Sequence, residues 1–169
     1  MAETVLRAPA RLNLAALLFP AAIFTSATLV FLVQPMMAKM LLPKLGGSPA
    51  VWNASMAFFQ TALLLGYGYA HLLQRVRVVG QQVLIHLVAL AVASVFLPLS
   101  ISGALGDPPS GFPVPWLLGV MILSVAAPFA VLSATAPLLQ SWFARLNEGE
   151  PRNPYALYVA SNVGSMLAT

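Results

Sequence analysis

The chain has 169 residues, of which 60% are hydrophobic and only 7% are charged. Soluble domains are roughly 45–50% apolar and about 25% charged, so there is too little polar surface here to cover a water-soluble fold. The formal net charge of +4 comes from basic residues set beside apolar runs, the pattern of loop charges that orient a membrane protein, and nucleic acid is not expected as a partner.

These features predict an all-α integral membrane protein forming one transmembrane helical domain over 1–169, with lipid as its main solvent. The first apolar run, 14–33, comes after Arg7 and Arg11 and has about the 20 residues needed to cross a ~30 Å hydrocarbon core. It is too long for a secretory signal and lacks a small-residue cleavage site, so an uncleaved helix is expected, with a kink at Pro20. The next segment, 34–47 (QPMMAKMLLPKLGG), carries Lys39, Lys44, two prolines and a Gly-Gly pair. Its pattern predicts a short interfacial helix with snorkelling lysines. Those lysines could also meet anionic lipid or substrate, though solvation is the simpler account.

A second span is expected over 51–73 and a third over 78–98, joined by a tight turn with Arg75 and Arg77. The Pro/Gly-rich stretch 102–115, with Asp107, reads as irregular loop. A fourth span covers 116–139, and a polar turn 145–153 leads to a fifth apolar run over 154–169. Those 15 or so residues, roughly 22 Å of helix, fall short of a ~30 Å core, so the last span reads as incomplete: either the gene continues, or a partner shelters the stub, or it folds back to the inner interface.

Alternating the loops puts Arg7, Arg11, Arg75, Arg77, Arg145 and Arg152 on one side and Lys39 and Lys44 on the other. This asymmetry predicts a cytoplasmic N-terminus, with Trp52 and Trp116 at the outer interface and Trp142, Tyr155 and Tyr158 at the inner one.

Polar residues within the spans are the first candidates for function, because each is costly in lipid unless paired. Asn53 and Gln60, seven residues apart, share one face of the second span: either a polar path or, the favoured account, hydrogen bonding between helices. His71 ends the second span and His86 lies about two turns into the third, and either could ligate a haem or chlorin metal. No acidic residue interrupts a span, which argues against ion-coupled transport. Small residues recur at four-residue spacing: Gly66 with Ala70, Ala126 with Ala130 and Ala134, Ser161 with Ser165, and Gly164 with Ala168. Such stripes predict close helix packing. Pro128 and Pro137 should bend the fourth span and free carbonyls that Ser133 and Thr135 can re-satisfy, with a substrate cavity beside the bend as the lesser alternative. There is no cysteine, which excludes Cys-ligated clusters and covalent c-type haem. No G-x-S-x-G, P-loop or H-E-x-x-H is present, so no catalytic residue is assigned and no cofactor is predicted.

Three strings carry a resemblance. FLVQPMMAKMLLPKLGGSPAVWNASMAFFQTALLLGYGYAHLL (31–73), APFAVLSATAPLLQSWFA (127–144) and NPYALYVASNVGSMLA (153–168) resemble, in order, stretches of the membrane region of bacterial fused spermidine-synthase-like membrane proteins. That resemblance implies a membrane bundle in the bacterial inner membrane, and it carries over no catalytic residue because the synthase-like domain lies outside this sequence. The expected function is a non-catalytic membrane helical module, either the membrane part of such a protein or an accessory subunit that packs against other membrane helices. The alternatives are a transporter or channel fragment for a small solute, with Asn53, Gln60 and the bent fourth span along its path, and a haem- or pigment-binding subunit using His71 or His86.

Overall fold

A computed structural model describes residues 14–146 and 155–168, and the described residues are helical with no strand. Six α-helices succeed one another among them: α1 (Leu14–Leu45), α2 (Pro49–Leu73), α3 (Val79–Ala93), α4 (Pro113–Met121), α5 (Ala127–Leu146) and α6 (Tyr155–Leu167). Arg7, Arg11, Arg152 and most of the expected 145–153 turn lie outside the described residues.

The first difference from expectation is that 34–47 does not form a separate interfacial helix. α1 runs unbroken for 32 residues through Pro20, Pro35 and Pro43, about 48 Å at 1.5 Å per residue. Packing explains why: Met37 and Leu41 are buried in one core cluster with Val51, Trp116 and Leu117. That burial outweighs the backbone hydrogen bonds lost to the prolines. The helix stops at the Gly-Gly pair, where Gly46 adopts φ +68° and its N–H returns to the carbonyl of Leu42 at 2.9 Å. A left-handed residue closing a helix in this way is the usual role of glycine. Ser48 then caps α2 by accepting from the Val51 N–H, with Pro49 in the first turn.

The fourth run is also longer than expected. α4 and α5 form one helical rod, Pro113–Leu146, joined by a widened π turn over Ile122–Ala126. Pro128 lies two residues past that turn and lacks the N–H that would pair with Ser124, so the turn widens where the ladder is already broken. The rod is the axis of the bundle: α5 packs on α1, α2 and α3, and α4 packs on α2, while α6 lies along α1. α1 and α2, although consecutive, touch only slightly.

Three helical runs among the described residues are long and apolar enough to cross a membrane: Leu17–Leu45, Val79–Phe96 and Pro113–Leu146. α2 has the length at 25 residues, but Asn53, Gln60 and His71 dilute its apolar character. α6 has 13 residues.

Solvent preference is inverted on α3. It buries Gln82 and His86 and exposes Leu84, Ile85, Leu87, Val88 and Val92. A helix at a water interface does the reverse, so this arrangement is compatible with residence in lipid. Hydroxyls obey the same logic: Thr25, Thr28, Ser55 and Thr61 each donate to the carbonyl four residues back on their own helix, which leaves no free donor to solvate.

Candidate functional site

Two of the buried polar side chains, Gln82 and His86, lie where α2, α3 and α5 meet. Gln82 and His86 stand four residues apart and so share one face of α3; they are 0% and 2% exposed. The indole N–H of Trp142 donates to Gln82 Oε1 at 2.7 Å, and Gln82 Nε2 donates to the Val76 carbonyl at 2.6 Å. The Gln82 amide thus ties the start of its own helix to the far end of α5.

His86 is held on every side. Its Nε2 lies 3.1 Å from Thr135 Oγ1, and its Nδ1 lies 3.5 Å from the Tyr69 hydroxyl. Either neutral tautomer satisfies both contacts, because each hydroxyl can donate to one ring nitrogen or accept from it. The Tyr69 ring stacks over the imidazole at 5.9 Å, and Trp142 meets it edge-on at 6.1 Å. Both ring nitrogens are engaged, so metal ligation by His86 would require breaking one of these bonds. Thr135 therefore does not turn back to its own helix. Ser133 donates to the Ala130 carbonyl at 2.9 Å, and at the other proline Ser124 Oγ accepts from the Ser102 N–H at 2.9 Å.

His71 lies elsewhere. It is exposed and two residues from Tyr69, which turns it to nearly the opposite side of α2. The two histidines are not brought to one site. Among the described residues, no group of three His, Cys, Asp or Glu could share a metal ion.

Asn53 and Gln60 are likewise exposed. They lie on the outer face of α2, away from the bend in the α4–α5 rod, so they and the bend do not line one path within a single chain. The small residues fall at helix contacts. A Cβ on Gly66 would strike Ser133 Oγ and the Ala130 carbonyl, so α2 and α5 meet backbone to backbone there. Ala70 and Ala134 are buried in the same seam, and Ala126 and Ala130 are half-buried. Gly164 sits against the Phe24 carbonyl, Thr28 and Ala27 on α1. Ser161 and Ser165 are half-buried on α6, and Ser165 donates to Asn162 at 2.8 Å on its own helix.

The tryptophans divide. Trp52 is exposed, as are Tyr155 and Tyr158. Trp116 and Trp142, expected to face the interfaces, are 7% and 5% exposed and turn their N–H groups inward. Trp116 donates to the Leu105 and Gly106 carbonyls at 3.3 and 3.2 Å. An indole N–H needs a partner when buried, and these partners lie within the bundle.

Gln82, Tyr69 and Trp142 are the site residues that the sequence reasoning missed. The four-residue spacing of Gln82 and His86 was the available signal. A cleft of about 230 Å³ opens between α1 and α2, lined by Phe31, Gln34, Trp52, Ser55 and Phe59 among others. Its lining is apolar apart from Gln34 and Ser55, and the Ser55 hydroxyl is already bonded to Val51.

In comparisons with family models, with curated proteins and with solved structures, nothing matches this chain.

Proposed function

We propose that the chain is a non-catalytic, membrane-embedded helical module whose role is to pack against other membrane helices. Three of its helical runs have the length and apolarity to span, and α2, packed by one face on the Pro113–Leu146 rod, crosses with them. One observation carries the reading: buried polar groups of α1, α3 and α5 make ties between helices. Gln82 holds Trp142, His86 holds Thr135, and Ser26 Oγ donates to the Leu132 carbonyl at 3.2 Å from α1 to α5. Groups engaged in this way give a bundle one arrangement and leave its outer faces free for partners. The resemblance to the membrane region of fused spermidine-synthase-like proteins supports the same role in an inner membrane, and the basic asymmetry of the loops supports a cytoplasmic N-terminus.

Purification of the chain in mild detergent, with identification of the polypeptides that accompany it, tests this. A stoichiometric membrane partner or a linked cytosolic domain is the expected result; release of the chain from membranes by alkaline carbonate contradicts it. A second reading draws on the cleft between α1 and α2, which has room for part of a small apolar solute. Flux of such a solute across vesicles containing the chain would favour it over the packing module.

A further inference from the structure

One face of α2 combines polar side chains with full exposure. Asn53, Ala57, Gln60, Leu64, Tyr67 and His71 succeed one another at alternating four- and three-residue steps, the spacing of a heptad seam. At 3.6 residues per turn they form a straight line about 27 Å long, close to the ~30 Å thickness of a hydrocarbon core. All six are exposed. They point directly away from the face of α2 that carries Phe58, Ala62 and Gly66, which is buried in the bundle. No described residue hydrogen-bonds to the side chain of Asn53, Gln60, Tyr67 or His71. Exposed Leu64, Leu65 and Leu72 lie within and beside the line, so it is not a face suited to water.

We propose that this seam is a self-association surface, and that its occupant is the α2 helix of a second copy of the chain. The inference rests on the membrane-module reading. Two copies inserted with the same topology are related by an axis along the membrane normal, so identical residues meet at identical depth. A carboxamide carries both donor and acceptor, and Asn53 and Gln60 are each complementary to their own twin. The seam lacks Asp, Glu, Lys and Arg, so no like charges oppose each other across the axis. Heptad spacing gives the shallow left-handed crossing common among membrane helices. The polar pairs set the register, as a single polar residue does in a coiled coil.

The absence of cysteine makes the test direct. Single-cysteine variants Gln60→Cys, Leu64→Cys and Tyr67→Cys are oxidised in native membranes beside Leu65→Cys, which lies about 100° around the helix from Leu64. The seam positions should give covalent dimers and Leu65→Cys should not. Gln60→Leu, without cysteine, should weaken the dimer about 3- to 30-fold in a detergent dilution series. A chain that resists alkaline extraction yet cross-links no better at Gln60→Cys than at Leu65→Cys overturns the self-association and leaves the membrane module standing. Cross-linking to a different polypeptide also overturns it, as does labelling of Gln60→Cys by an impermeant maleimide without dimer. Extraction by alkali overturns both readings together.

Discussion

Trp142 and Gln82, sixty residues apart in sequence, meet through a 2.7 Å hydrogen bond that is sealed from solvent at both ends. The bond joins the last turns of α5 to the first turn of α3. Neither group has water to fall back on, so each depends on the other.

Removing either partner leaves a buried polar group unsatisfied. Trp142→Phe strands the Gln82 carbonyl oxygen, and Gln82→Leu strands the indole N–H and the Val76 carbonyl. Each should cost about 1–3 kcal/mol of bundle stability. The double variant should cost less than the sum of the two, because the second change removes an orphan left by the first. Unfolding in mixed micelles measures all three, and strict additivity would contradict the pairing.

Two glycines of one helix should behave oppositely. Gly66→Ala drives a methyl group into the Ala130 carbonyl, a backbone atom that cannot step aside, and should lower stability by about 1–3 kcal/mol. Gly68→Ala meets nothing within 4 Å and should leave stability unchanged or raise it by about 0.5–1 kcal/mol through helix propensity. Thermal denaturation in detergent separates the two; equal losses would mean that α2 and α5 do not touch at Gly66.

The loop before α4 is held by its buried contacts rather than by its charge. Trp116 and Ser124 bond its backbone from within, whereas Lys44 and Asp107 form an exposed pair at 3.5 Å, of a kind that contributes little. Trp116→Phe should therefore speed hydrogen exchange and proteolysis across 102–112, and Asp107→Asn should not.

The basic asymmetry predicts which side each loop faces. A cysteine placed at Ser110 should react with an impermeant reagent added outside intact cells, and one at Gln74 only after the membrane is opened. The reverse pattern would invert the topology.

Composition was enough to read the all-helical class and the presence of helices able to span, because both depend on bulk apolarity. Continuity through Pro35 and Pro43 was not legible: local rules end a helix there, and only the burial of Met37 and Leu41 against residues far along the chain overrides them. Gln82 was missed for a similar reason. In sequence it stands beside Gln81 at a helix start, where a glutamine ordinarily faces water, and its partner Trp142 has the look of an interfacial anchor. His86 was legible as a polar residue in a span, but Tyr69 and Thr135 become its neighbours only once three helices are assembled. Small-residue spacing marks a face on α2 and one on α5, and says nothing about which face meets which.

The widened turn at Ile122–Ala126 works as a phase setting. Every side chain of α5 inherits its compass bearing from that turn, since each residue added to or removed from a helix rotates the remainder of the rod by about 100°. Losing one residue there would leave apolarity, length and charge almost untouched. It would nevertheless swing Trp142 off Gln82, Thr135 off His86 and the Ala130 carbonyl off Gly66 at a single stroke. These contacts between α5 and its neighbours are therefore one inherited alignment, and an insertion or deletion in those five residues breaks them together.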